Sequence, residues 1–139
     1  KGGALMPDIH ESGENYLETI LILRDKGIDV RSIDIVHEME LSKPSVSRAM
    51  SILRNGGFIE VDRDGYITLT EPGEEIAQRI YERHRVLTDW LIGIGVDAKT
   101  AAEDACKLEH DISVESFDKL KKHIREKHSG LNELSDACE

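Results

Sequence analysis

Apolar residues recur every three to four positions through most of the chain and switch to strict alternation once, near the middle. Tyr16, Leu17, Ile20, Leu21 and Leu23 form a stripe near the 3.6-residue period, which predicts a first helix from Ser12 to about Lys26, ended by Gly27. Ser32 is the expected cap of a short second helix through about His37, with Ile33, Val36 and Met39 turned inward. Leu41 falls in a tight turn. Ser42 then reads as the next cap, with Pro44 in the first turn, where its missing N–H does no harm. This third helix, Lys43 to Arg54, buries Val46, Ala49, Met50 and Leu53 and stops at Asn55-Gly56-Gly57. Alternation follows: Phe58–Val61 and Tyr66–Leu69 read as strands joined by Asp62-Arg63-Asp64-Gly65, a strong hairpin signal. Thr70 caps a long fourth helix, about Pro72 to Ile92, with Ile76, Ile80, Leu87 and Leu91 on one stripe and Gly93 and Gly95 behind it. Asp97 opens a fifth helix containing Cys106 to His110, and Ser113 a sixth reaching about Lys127. Past His128 the chain is polar and is expected to be a loose tail.

The predicted fold is mainly α with a small β-hairpin: a winged helix-turn-helix over residues 7–71, a helical region over 72–128 and a flexible tail over 129–139. Helix, short helix, tight turn, helix and hairpin is the order of a winged helix-turn-helix, whose third helix offers its N-terminal turn to the DNA major groove. Ser42-Lys43-Pro44-Ser45-Val46-Ser47-Arg48 suits that role. Ser42, Ser45 and Ser47 permit close approach and donate to phosphates, Lys43 and Arg48 supply positive charge, and Pro44 offers an apolar contact such as a thymine methyl. Arg63 at the hairpin tip is placed for a neighbouring phosphate. The bland alternative, a plain helix start with solvated charges, accounts for any one of these residues but not for their combination.

Composition narrows the class. The 139 residues fit one domain or two small ones, and 39% apolar content with 4% aromatic leaves the packing to aliphatic side chains. A net charge of −10 argues against a constitutive nucleic-acid binder and fits a protein that gathers cations. No apolar run approaches the roughly 20 residues needed to span a bilayer. Lys1–Met6 lacks the apolar core of a secretory signal, and the residues ahead of Met6 read as partly an added remnant. Two cysteines without zinc-finger spacing make no disulfide framework, so a reducing cytoplasm is the expected compartment.

On a continuous helix Cys106, Glu109 and His110 stand at i, i+3 and i+4, so a thiolate, a carboxylate and an imidazole share one face. Such a trio can hold a divalent transition metal, although short clusters of this kind also arise by chance on acidic helices. Asn15 and Glu18 lie at i and i+3 on the first helix, and His84 lies within the long helix. Helices contributing a few polar groups each can enclose a site, as helix bundles do.

Glu14-Asn15-Tyr16-Leu17-Glu18-Thr19-Ile20, Ser42 to Ser47, Leu69-Thr70-Glu71-Pro72-Gly73, Arg83-His84-Arg85 and Cys106 to Asp111 occur in order at fixed separations. With these motifs the chain, from about Glu14 to Phe117, resembles the diphtheria-toxin-repressor family of iron- and manganese-dependent repressors, including its manganese-transport-regulator branch. The resemblance implies a homodimer that binds a palindromic operator in double-stranded DNA once metal is bound. It implies that Cys106, Glu109 and His110 follow the iron-type ligand pattern and that Glu18 and His84 match positions the manganese branch uses. Asn15 stands where iron-type members carry Met and manganese-type members Asp, and offers a weaker amide oxygen. The ancillary site of iron-type members needs a Glu near Thr88 and a His near Ala102, and this chain has neither. On that resemblance a manganese-type length is expected, without the extra C-terminal domain of iron-type members. Because a thiolate shifts preference away from Mn²⁺, Fe²⁺ is the favoured ion, with Mn²⁺ next and Co²⁺ or Zn²⁺ expected to substitute in vitro.

The expected function is a metal-dependent regulator, a repressor of metal-uptake genes, and not an enzyme. The runner-up is a winged-helix regulator answering to a small organic ligand or to oxidation of Cys106. A zinc enzyme is disfavoured because no general base, glycine-rich phosphate cradle or nucleophile elbow accompanies the ligands.

Overall fold

Helix α1 (Glu11–Asp25) carries Glu11 and Glu14 at its positive end and Arg24 at its negative end, the arrangement that complements a helix dipole. Its stripe of Tyr16, Leu17, Ile20, Leu21 and Leu23 is buried, as the periodicity predicts. A computed structural model describes residues 11–137, with side chains through Lys127. Expectations about the first ten residues, and about side chains from His128 onward, fall outside that range.

Helix α2 (Ser32–Met39) begins one residue earlier in capping terms than the sequence implies. Arg31, not Ser32, is the N-cap, and its backbone N–H donates to Asp34 Oδ2 at 2.8 Å. Its inward residues are Ile35, Val36 and Met39, while Ile33 is exposed. Spacing i, i+1, i+4 keeps one narrow stripe on a short helix, and Ile33 lies outside it. The helix ends at Glu40 in the left-handed region, φ 53°, which turns the chain tightly toward α3.

Helix α3 (Lys43–Asn55) is capped by the Ser42 side chain, which accepts from the Ser45 N–H at 3.3 Å. Val46, Met50 and Leu53 are buried and Ala49 is half-buried. Gly57 takes φ 81° and frees the chain to enter the hairpin. Strands β1 (Ile59–Val61) and β2 (Ile67–Leu69) pair antiparallel, with Ile59 opposite Leu69 and Val61 opposite Ile67. Asp62 Oδ1 accepts from the N–H groups of Asp64 and Tyr66, both at 2.9 Å, which fixes the turn. The hairpin is tied down twice more: Ile67 N–H donates to Val30 O at 2.8 Å, and Arg31 lies over the Tyr66 ring at 4.2 Å.

Helix α4 (Glu71–Gly93) starts beneath the hairpin. Thr70 Oγ1 accepts from Gly73 N–H and donates to Gly57 O at 2.6 Å. Gly73 is required there, because a Cβ would stand 2.0 Å from Phe58 O.

The described residues divide into two compact units, separated in chain order between Tyr81 and Glu82 and therefore inside α4. Ile76, Ala77 and Ile80 belong to the core of the first, so that unit extends past residue 71, where the sequence pattern changes. The first core gathers α1, α2, α3, the hairpin and the opening turns of α4. In the second unit, α5 (Ala98–Leu108) is capped by Asp97 and α6 (Val114–Ala137) by Ser113, whose Oγ accepts from Ser116 N–H at 3.0 Å. Its core is Leu87, Ala105 and Phe117, flanked by Val86, Trp90, Ile112 and Leu120. The backbone of α6 stays helical ten residues beyond the end that the sequence implies at Lys127. A single interior glycine such as Gly130 costs only about 1 kcal/mol and does not stop a helix.

Candidate functional site

The chemistry of the second unit converges on the end of α5. The helix closes at Leu108, so Glu109 is its C-cap and His110 lies in the turn beyond. Cys106 and Glu109 remain neighbours across that last turn, and Glu109 keeps right-handed helical backbone angles, φ −61° and ψ −24°. A trio that gathers there is His84 of α4 with Cys106 and Glu109, whose ligand atoms all lie within 4.8 Å of one another. Ligand atoms around a tetrahedral ion with bonds of about 2.0–2.3 Å stand roughly 3.5 Å apart, so the span is near what coordination needs. His110 stays beside the group: its Nε2 is 3.4 Å from Glu109 Oε1 and its side chain is 2% exposed.

Glu109 is the pivot of this arrangement. Its side chain is fully buried, and Oε2 is 2.9 Å from His84 Nδ1. Oε1 is also buried yet makes no hydrogen bond among the described residues. A buried carboxylate oxygen without a donor is costly, and a cation is the partner that removes the cost. Thiolate, carboxylate and imidazole are moreover a donor set of intermediate softness, suited to first-row divalent ions. The residues present therefore fit a metal.

The other expected ligands, Asn15 and Glu18, lie on α1 of the first unit, half-buried and buried respectively. Asn15 uses its backbone carbonyl to accept from Thr19 Oγ1 at 2.9 Å.

In the first unit, every DNA-facing residue named from the sequence is exposed: Ser42, Lys43, Pro44, Ser45, Ser47 and Arg48 around the start of α3, and Arg63 on the hairpin turn. Ser42 Oγ also donates to Ser45 Oγ at 2.8 Å, so these two hydroxyls are held on the helix end rather than free to rotate. Clustering of small side chains and two cations on an exposed helix start leaves room for close backbone approach and for charge on phosphates.

One residue of the second unit escaped the sequence reading. Arg83 is 6% exposed, and its Nη1 donates to Glu109 O at 3.0 Å and Ile112 O at 2.7 Å. The signal was available: Ile80, Arg83 and Leu87 share one helical stripe, so an arginine occupies a core-facing position.

Comparison with known proteins agrees with both halves. Residues 70–128 match the iron dependent repressor, metal binding and dimerisation domain. The chain is 33% identical over 113 residues to MJ0568 of Methanocaldococcus jannaschii, described as an uncharacterized HTH-type transcriptional regulator, a match over 80% of this chain and 90% of that one. It is 31% identical over 105 residues to the transcriptional regulator MntR of Salmonella typhimurium, covering 76% of this chain and 67% of that protein. Among solved structures it is similar to the manganese regulator SloR, with a TM-score of 0.74 and 26% identity over 81% of this chain, although it spans only 53% of SloR. Winged reading unit, helical metal unit and these likenesses lead to one assignment: the chain belongs to the diphtheria-toxin-repressor and manganese-transport-regulator family of metal-dependent transcriptional repressors.

Proposed function

We propose that this protein is a transcriptional regulator that binds double-stranded DNA through α3 and the hairpin when a divalent transition metal is held by His84, Cys106 and Glu109. The observation that carries the reading is the buried Glu109 Oε1, which lacks a hydrogen bond and stands beside an imidazole and a thiol. His110 adjoins that oxygen and is the further imidazole of the iron-type pattern. Glu18 and Asn15 are the additional ligands that the family resemblance supplies.

The bound ion supplies positive charge that neutralises the clustered donors. The protein's own residues do the remainder. Lys43 and Arg48 pair with phosphates, Ser45 and Ser47 allow α3 close to the groove, and Arg63 meets the flanking backbone. Two copies of the reading helix on a palindromic operator stand one DNA turn apart, about 34–36 Å, which is the purpose of a homodimer here. The metal unit needs only about 1.4 kcal/mol of differential stabilisation to raise operator affinity tenfold.

Fe²⁺ is the favoured physiological ion over Mn²⁺, because Cys106 brings a thiolate where Mn²⁺ prefers oxygen and nitrogen donors. Control of metal-uptake genes by repression in the cytoplasm follows from that reading. Operator affinity measured at fixed salt with Mn²⁺, Fe²⁺ under anaerobic conditions, Co²⁺ and Zn²⁺, and again with chelator, tests it. The expected result is tight binding with metal that is lost on chelation and strongest with Fe²⁺. Binding indifferent to chelation would overturn the metal reading in favour of an organic ligand or thiol oxidation as the signal.

A further inference from the structure

The turn that carries Glu109 is built from a helix end that lacks its own hydrogen-bond partners. The last four carbonyls of any helix have no intrahelical donor, and for α5 these include the groups around the C-cap. Asp111 N–H and Ile112 N–H both return to Leu108 O, at 3.1 and 3.2 Å, so the chain reverses within four residues. Glu109 O and Ile112 O face the same way at the two ends of that reversal and receive the two N–H groups of one nitrogen, Arg83 Nη1. A guanidinium at a helix C-terminus is also favoured by the dipole. The Arg83 guanidinium carbon lies 5.4 Å from the centre of the Phe117 ring, which fixes the group from the α6 side.

Arg83 precedes His84 on α4. Adjacent residues of one helix thus take hold of one residue twice: Arg83 by the main-chain carbonyl of Glu109, His84 by its carboxylate. We propose that Arg83 is a positioning residue for the metal centre, a latch that holds the Glu109–Ile112 turn in place so that the Glu109 carboxylate is presented to His84 and Cys106 before any ion arrives. The inference rests on the metal reading above and adds to it the means by which the ligands are preorganised. A flexible turn would have to be ordered by the ion itself, at a cost to affinity.

The same geometry explains why an arginine is used. Two carbonyls about a helix end call for a rigid planar donor whose hydrogens diverge, and a guanidinium supplies that with little further loss of freedom. A lysine at this position reaches with a flexible stem and holds one carbonyl well rather than two.

The test is a Co²⁺ titration of the full chain, followed by visible absorption, for the parent protein, R83M, R83K and F117L. R83M is expected to bind Co²⁺ about 10- to 100-fold more weakly, the usual loss when a supporting partner of a ligand is removed. R83K should recover part of that loss, and F117L, which removes the ring contact but neither hydrogen-bonding group, should lose much less than R83M. In the metal-free protein, hydrogen exchange of the Asp111 and Ile112 amides should be faster in R83M than in the parent. If R83M fails to fold by circular dichroism, R83Q replaces it and is expected to show the same weakening. Unchanged Co²⁺ affinity in R83M or R83Q overturns the latch, as does an equal loss in F117L, which would assign the effect to packing. If the parent itself does not take up Co²⁺, the proposed function fails and the latch with it, an outcome distinct from a parent that binds and a variant that binds equally well.

Discussion

In residues 11–81 the interior is filled by large apolar side chains, Leu17, Ile20, Leu21, Ile35, Val46, Ile59, Ile76 and Ile80 among them, with Glu18 the buried charged group. In residues 82–127 the buried apolar groups are Leu87, Ala101, Ala105 and Phe117, and Arg83 and Glu109 are buried beside them. The first unit thus rests on packing that needs no partner. The second devotes part of a smaller interior to polar groups, one satisfying a helix end and the other with a buried oxygen that makes no hydrogen bond among the described residues and lies 3.4 Å from the His110 imidazole. Buried polar groups stabilise a fold poorly and specify it well, and an incompletely satisfied one points to something that completes it. The first unit is accordingly held by apolar packing, and the second is where an ion can change the balance.

That contrast can be broken from either side. Replacing Ile35, fully buried in α2, by Ala should cost about 3 kcal/mol of stability in denaturant unfolding, from lost transfer energy and the cavity left behind. The loss should be the same with and without Co²⁺. A cost well under 1 kcal/mol would mean that the first core is not close-packed.

Glu109→Gln is the matching change in the second unit. It keeps shape and removes the carboxylate, so Co²⁺ affinity should fall about 100-fold, or ~2.7 kcal/mol. Metal-free stability should hold or rise, since a neutral amide is less costly to bury than a carboxylate with one unsatisfied oxygen. A variant that melts early without metal would show Glu109 to be a structural group instead.

Smaller effects are expected at the reading surface. Arg48→Ala should weaken metal-dependent operator binding about equally for every operator sequence, as the loss of a phosphate contact does. Lys43→Met should reduce the slope of log affinity against log salt by about 1, as the loss of a single phosphate contact does. Unchanged binding in both would move the DNA surface away from the start of α3.

The smallest effect concerns an ion pair of the first unit. Arg24 donates to Glu74 at 2.5 and 2.9 Å, and this hydrogen bonding, with that from Gln78, holds the Glu74 carboxyl below its ordinary value of 4.5. A lowered folded-state value adds stability above the ordinary carboxylate range, and that stability is lost as pH falls through the lowered value. Because both side chains are partly exposed, the contribution is about 0.5 kcal/mol. Glu74→Gln should lower the neutral plateau of the stability–pH curve by about that amount and leave the acid end nearly unchanged, so that the curve falls less as pH drops.

Much of this was legible in the residues themselves. Ser42, Thr70, Asp97 and Ser113 each cap the helix their position implies, and the Asp-Gly hairpin sits where the hydrophobic period changes. What could not be read was anything decided by tertiary contact. Arg31 displaced Ser32 as a cap because the Asp34 side chain accepts from its N–H, and Ile33 turned outward because Ile35 fills the core. Cys106 and Glu109 were identifiable as a pair from spacing alone. His84 joins them through the packing of α4 on α5, which a one-dimensional period does not contain. Arg83 stood in the sequence only as part of Arg83-His84-Arg85 on a core-facing stripe, and the carbonyls of Glu109 and Ile112 that it serves are set by tertiary contact.

The most direct measurement is an anomalous difference map from crystals of the full chain grown with Co²⁺. The account predicts a peak within bonding distance, about 2.0–2.3 Å, of His84, Cys106 and Glu109. A metal-saturated crystal with these three side chains bonded to nothing, and the ion held elsewhere, would contradict it.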